Sequence, residues 1–315
     1  MKKEEINKKN KNVKIDETLS NADINSCDNT NAIINTSAEN PQSLNIGVAL
    51  GGGGMCGFAH IGFLQVLEEN GIIPNMVAGV SMGAIVGGFY ATGWTPKELE
   101  RLAKTISKSQ IIEPNFFKMI KEGLVSGKKI EKFLEKNLRF KNIEDSTIKF
   151  YAGATDLKTG DIYYFESGSF VTALRASSAI PGVFPVKIAG ETSYGDGGLV
   201  ENVPFNILKK KGADVIIAVD CLNPYDKDNI PKNSVNALVY GMEVMQHKLI
   251  EFNKKLNRRN YDIYCLDTTE GVSHLDTDFK VIPRLIESGR NCALKNMDKI
   301  KEIIKNKQLK LINKK

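Results

Sequence analysis

The chain has 315 residues, 42% hydrophobic and 25% charged, with a net charge of +6. This is an ordinary globular composition with ample apolar material for a core. No apolar run approaches the ~20 residues that span a bilayer. The lysine-bearing start, MKKEEINKKNKNVKIDE, is followed by no apolar stretch, so neither a secretory signal nor a transmembrane helix is read and a cytoplasmic protein is expected.

Residues 1–43 are rich in Asn, Lys, Ser and Asp and poor in aromatics, which predicts a disordered N-terminal arm. Ile46 to Leu50 reads as a buried strand, and a glycine-rich loop, GGGG, follows it. Apolar residues at helical spacing predict a helix from Phe58 that stops near Asn70-Gly71. NMVAGVS is a second strand, and MGAIVGGFYATG a helix of small residues. Thr95 and Pro96 mark the N-cap and first position of another helix. A polar, helix-rich stretch then runs to about Phe140.

Strand signals return at TIKFYAGATD and GDIYYFES, followed by a helix over Phe170 to Ser178. Short strands are predicted at VKIAG and TSYGDGG, a helix at VPFNILKKKG, and a buried strand at ADVIIAVD. A helix over Leu238 to Leu256, a strand at YDIYCLD and a long helix from about Phe279 to the end complete the chain. Strands alternating with helices predict an α/β fold, a mostly parallel sheet covered on both faces. Residues 44–225 are expected to carry the chemistry, and residues 226–315 to complete the same domain and end in a basic helix.

Cys27, Cys56, Cys221, Cys265 and Cys292 form no C-x-x-C pair, which argues against a disulfide framework and a zinc site. His60, His247 and His274 belong to no metal-binding pattern, so no metal is expected.

Gly52, Gly54 and Gly57 satisfy the G-x-G-x-x-G spacing of a dinucleotide loop. A glycine turn between strand and helix offers backbone N–H groups to an anion without saying which anion. The acid that would hold a ribose is missing, because the second strand ends in Ser81. What stands there is Gly79-x-Ser81-x-Gly83, between a strand and a helix, the setting of a nucleophile elbow. The glycine loop then reads as an oxyanion hole for that serine. Two residues compete as its base on spacing alone: His274 in a polar loop, and Asp196, which precedes Gly197 and Gly198 at a strand end. Ser177 and Ser178 lack the elbow context and read as helix-end hydrogen bonders.

Gly52-Gly53-Gly54-x-x-Gly57, then Gly79-x-Ser81-x-Gly83, then Asp196-Gly197-Gly198, with ATDLKTG and ALRASSAIPGVFP between, resembles the patatin-like phospholipase family from about Leu44 to Leu222. The resemblance implies a three-layer α/β/α fold and a Ser–Asp dyad without His or metal. On that basis Ser81 is the nucleophile, Asp196 the base, and the backbone at Gly52, Gly53 and Gly54 the oxyanion hole. Gly57, Gly79, Gly83, Gly197 and Gly198 support these motifs. Cys56 departs from the family, whose members commonly carry Arg or Lys there.

The implied activity is serine-dependent hydrolysis of fatty-acyl esters of phospholipids or related lipids, without a cofactor. The alternative is a lipid-binding protein of the same fold with weak or no turnover. The apolar segments SAIPGVFP and MGAIVGGFY are candidate walls for an acyl chain. The basic C-terminal helix is expected to touch an anionic membrane, and no nucleic acid is expected.

Overall fold

Short apolar runs bounded by glycine or polar residues become the strands: β1 (Ile46–Leu50), β2 (Met76–Val80), β3 (Lys149–Asp156), β4 (Ile162–Phe165), β5 (Lys187–Ala189), β6 (Thr192–Asp196), β7 (Val215–Asp220) and β8 (Ile263–Leu266). The helices are α1 (Ala59–Glu69), α2 (Met82–Ala91), α3 (Pro96–Thr105), α4 (Lys108–Ile111), α5 (Lys128–Asn137), α6 (Phe170–Ser177), α7 (Phe205–Lys210), α8 (Ser234–Leu256) and α9 (Ile282–Ile312). This computed structural model describes residues 44–111, 127–181, 183–222, 234–267, 272 and 278–313. The expected N-terminal arm, part of the polar stretch before Phe140, Cys27 and His274 lie outside the described residues.

The strands form one sheet in the order β5-β6-β3-β2-β1-β7-β8, with β4 also paired to β3. β3, β2, β1, β7 and β8 are mutually parallel, whereas β4, β5 and β6 join by antiparallel pairings. Alternation along each strand divides its side chains between two cores. Val48 and Leu50 of β1 and Val215, Ile217 and Val219 of β7 join the larger core, with residues of α1, α2, α3 and α9. Ala49, Ile216 and Ala218 face the other way and pack with Phe205, Ile207 and Leu208 of α7. Burial on both faces is why these strands read as unbroken apolar runs rather than alternating ones.

Thr95 caps α3 as its sequence predicts: its side chain accepts from the Glu98 N–H while Glu98 returns a bond to the Thr95 N–H, a complete capping box. The last helix starts later than expected. Asp278 caps a single 3-10 turn, Phe279–Val281, and α9 proper begins at Ile282 with Pro283 in its first turn. α9 lies directly on α1, and a Cβ added at Gly289 would collide with the backbone of Ala59.

The direction of α9 bears on function. Lys307, near its end, binds Asp262 Oδ1 at 3.0 Å and the Asp214 carbonyl at 2.7 Å. Those residues immediately precede β8 and β7. The lysine-rich end of α9 is therefore at the N-terminal edge of the parallel strands, whereas Ser81 follows the last residue of β2 at the opposite edge.

Candidate active site

Ser81 lies between β2 and α2 with φ 53° and ψ −124°. Among the described residues it is the one non-glycine with positive φ, a conformation that persists only where surrounding contacts enforce it. Its N–H donates to Ser177 Oγ at 2.9 Å, and Ser177 Oγ donates to the Gly153 carbonyl at 2.6 Å. Gly83 permits a close approach: an added Cβ would run into the carbonyl oxygens of Leu50 and Gly51, so α2 could not start against the end of β1. Gly79 faces the Cα of Ala84 across the same turn, and Gly57 faces the side chain of Met82.

Asp196 arrives from a different direction. Its N–H donates to the Ala179 carbonyl at 2.9 Å, and its carbonyl accepts from Thr155 Oγ1 at 2.8 Å. These bonds fix the backbone of the last residue of β6. Oδ1 accepts from the Gly198 N–H at 2.8 Å, and Gly197 fits against the Gly153 carbonyl. Asp196 and Ser81 are both buried. Burial pushes the Asp196 carboxyl up to about 6, against the Ser81 hydroxyl and the Gly198 N–H, which hold it down. The serine contact is loose, because Oδ2 has no hydrogen-bond partner of ordinary geometry among the described residues. Such a bond often tightens only around substrate.

The glycine loop is anchored at its start. Gly51 N–H donates to the Val219 carbonyl at 2.9 Å and Gly52 N–H to the Asn202 carbonyl at 3.1 Å. Asn202 Nδ2 donates back to the Gly52 carbonyl at 3.2 Å. Among the described residues no acceptor takes the Gly53 or Gly54 N–H. Both glycines line the same cleft as Ser81 and Asp196. Gly54 has φ 51°, which suits glycine at the start of the turn that leads into α1.

His60 is fully buried and already engaged. Its Nε2 lies 2.7 Å from the Gly51 carbonyl, and its Nδ1 lies 3.4 Å from Cys221 Sγ. Burial lowers its pKa to about 4, against the Gly51 bond, so the ring is neutral near pH 7. A carbonyl only accepts, so Nε2 carries the proton and Nδ1 accepts from the thiol. His60 thus braces the glycine loop. Cys56 is a buried, packed residue whose thiol donates to the Val272 carbonyl at 3.7 Å.

Glycines 52–54, Ser81 and Asp196 line a cleft of about 100 Å³. Ile180, Pro181 and Val183 form one wall, as SAIPGVFP predicts. The small-residue helix does not line it beyond Ser81; Val86 and Phe89 go to the core. Three further contributors act through contacts distant in sequence. Ser177 holds the Ser81 turn, Asn202 ties the glycine loop, and α8 supplies Met242, Met245, Gln246 and Leu249 as a wall. The methionine spacing in α8 is the one local signal that could have marked it. Sites that bury a drug-sized ligand run roughly 300–1,000 Å³, so the cleft as it stands is small for one. α8 meets the site through long hydrogen bonds, Gln246 Nε2 to the Gly198 carbonyl at 3.3 Å and Asn253 Nδ2 to the Val200 carbonyl at 3.4 Å.

Comparison with known proteins bears on the same residues. The family model for patatin-like phospholipase matches residues 48–209. Lysophospholipase NTE1 of Scheffersomyces stipitis is 31% identical over 218 residues, which cover 68% of this chain and 14% of that protein. An NTE family protein of Mycobacterium tuberculosis is 36% identical over 179 residues, 56% of this chain and 49% of that one. The chain thus matches half or less of the length of these curated relatives. The crystal structure of VipD from Legionella pneumophila aligns with a TM-score of 0.48 and 17% identity, covering 82% of this chain and 67% of that chain.

Proposed function

The chain belongs to the patatin-like phospholipase family, and from that premise we propose that it hydrolyses fatty-acyl esters of lipids with Ser81 as nucleophile and Asp196 as base. The observation that carries this reading is the buried Asp196 carboxyl, raised to about 6 and facing the one strained serine of the chain's described residues. A carboxylate with that pKa is ionised near neutral pH and more basic than an exposed one, which suits it to accept a hydroxyl proton.

Ser81 Oγ attacks the ester carbonyl as Asp196 takes its proton. The resulting oxyanion accepts hydrogen bonds from Gly53 and Gly54, whose N–H groups meet no acceptor among the described residues. The Gly52 N–H, engaged by Asn202, shapes the loop instead. The start of α2 adds a favourable dipole, since the N–H groups of its first turn have no intrahelical acceptors. Collapse expels the alcohol, which receives the proton from Asp196. Water, deprotonated by Asp196, then attacks the acyl-enzyme, releases the fatty acid and restores Ser81. These steps require no metal or cofactor.

The apolar cleft walls favour a lipid acyl chain, and the lysophospholipase relatives make lysophospholipid the first substrate class to test. The test is fatty-acid release from lysophosphatidylcholine, phosphatidylcholine and triacylglycerol by the parent and by Ser81→Ala. Release from at least one class, absent in Ser81→Ala, is expected. A parent inert toward all three would leave the non-catalytic lipid-binding reading.

A further inference from the structure

α8 does more than wall the cleft. Met245, Phe252 and Leu256 are 65%, 61% and 69% exposed, values that leave most of each apolar side chain in water. Their spacing of seven and then four residues places them within about 40° of arc on one side of the helix, at ~100° per residue. Met245 also lines the cleft, with Met242 and Leu249 one position around the helix from it. The exposed stripe is therefore continuous with the mouth of the site.

A cationic row runs beside it. Lys248 and Lys255 are exposed, three residues after Met245 and Phe252 respectively. From residue 248 to residue 259 the chain carries Lys248, Lys254, Lys255, Arg258 and Arg259 against the single acid Glu251. A stripe of Met, Phe and Leu flanked by cations fits an interface of acyl chains beneath anionic headgroups. Among the described residues, the lysine-rich end of α9 is another basic surface with exposed apolar side chains, Leu309, Leu311 and Ile312. It stands at the far edge of the strands from Ser81, so docking there would hold the cleft away from the bilayer.

We infer that the outer face of α8, formed by Met245, Phe252 and Leu256 with Lys248 and Lys255, docks this protein on an anionic phospholipid bilayer and sets the cleft mouth against the lipid. The inference rests on the acyl-hydrolase reading for its purpose, while its test does not. The helix that would meet lipid is also one that walls the cleft.

The test measures partitioning onto phosphatidylcholine vesicles with and without an equal amount of phosphatidylglycerol. The parent should favour the mixed vesicles. Phe252→Ser with Leu256→Ser should weaken partitioning at least tenfold on both. Lys248→Glu with Lys255→Glu should reduce binding on the mixed vesicles to the level of phosphatidylcholine alone. Both variants should hydrolyse a water-soluble short-chain ester at the parent rate, which separates lost docking from lost fold. Variants that bind mixed vesicles like the parent would overturn the inference. So would a parent indifferent to both vesicles whose dimer becomes monomer in the Phe252/Leu256 variant, which would assign this face to a second copy. A parent that docks as described yet leaves the soluble ester intact would support docking and count against the hydrolase reading alone.

Discussion

Ser81 and Asp196 meet because two strands share one edge of β3. Val80 pairs with Gly153, and Asp196 pairs with the next residue, Ala154. β4 pairs with residues 152–155 of β3, overlapping both sets, so it must hold the opposite edge and leave β2 and β6 end to end on the other. The serine that follows β2 and the aspartate that ends β6 are thereby brought face to face by sheet register. This placement owes nothing to local sequence, since the two residues are far apart in the chain.

The pH dependence of turnover follows from the base. Ester hydrolysis should rise with pH through about 6, where Asp196 ionises, and remain high above it. Asp196→Asn should lower the rate by about 10²–10⁴-fold and erase that ionisation from the profile. Initial rates on a water-soluble ester across pH 4–9 check this.

Stability should respond to the same residue with the opposite sign. A carboxyl whose pKa rises from 3.8 to about 6 on folding binds more protons folded than unfolded in that window. Its stabilising contribution is therefore fullest below pH ~4 and is lost as pH rises through about 6, a cost of up to about 3 kcal/mol. Asp196→Asn should accordingly melt higher than the parent at neutral pH, with the gap closing in acid. Calorimetry at several pH values reads it.

His60 supplies a second window. Its pKa falls from 6.5 to about 4 on folding, so the stability it contributes is complete above 6.5 and lost as pH falls toward 4. His60→Gln should lose this acid sensitivity. Because His60 braces Gly51 rather than facing the serine, the variant should keep a reactive Ser81 wherever it folds. Urea melts at pH 7 and pH 5, with active-site labelling, separate the two roles.

Ser177→Ala should strand the buried Ser81 N–H and the Gly153 carbonyl at once. A loss of about 1–3 kcal/mol is expected, with turnover falling more steeply than binding because the strained turn loosens. Ser178→Ala, which loses only a bond to the Leu174 carbonyl at 2.7 Å, should be milder and leave kcat near the parent value. Comparing kcat with KM in both variants tests the assignment.

Gly289→Ala should destabilise by about 1–3 kcal/mol or more through overpacking of α9 on α1, with little change in kcat per folded molecule. Denaturant titration with an active-site count distinguishes these.

The strands, the Ser81 turn and the Asp196 corner were legible because each is written in a few adjacent residues: an apolar run, then glycine, serine or aspartate in a turn. Ser177 escaped its role because it acts on a residue 96 positions away, and Asn202 because it ties a loop 150 positions away. The spacing left Asp196 and His274 level as bases; the family resemblance chose Asp196, and His274 lies outside the described residues. The basic tail was visible as composition, yet its position depends on the polarity of a parallel sheet, which sets Lys307 beside Asp262 and away from Ser81. α8 reads from sequence only as a helix over Leu238 to Leu256, because its stripe is interpretable only once the cleft beneath it is known.

The proposed chemistry turns on activation of Ser81 by Asp196. Intact mass after incubation with a fluorophosphonate, with anionic vesicles present to open the cleft, tests it most directly. One adduct per chain is expected on the parent, none on Ser81→Ala, and much slower addition to Asp196→Asn. An unmodified parent, or an Asp196→Asn variant labelled as fast as the parent, would contradict it.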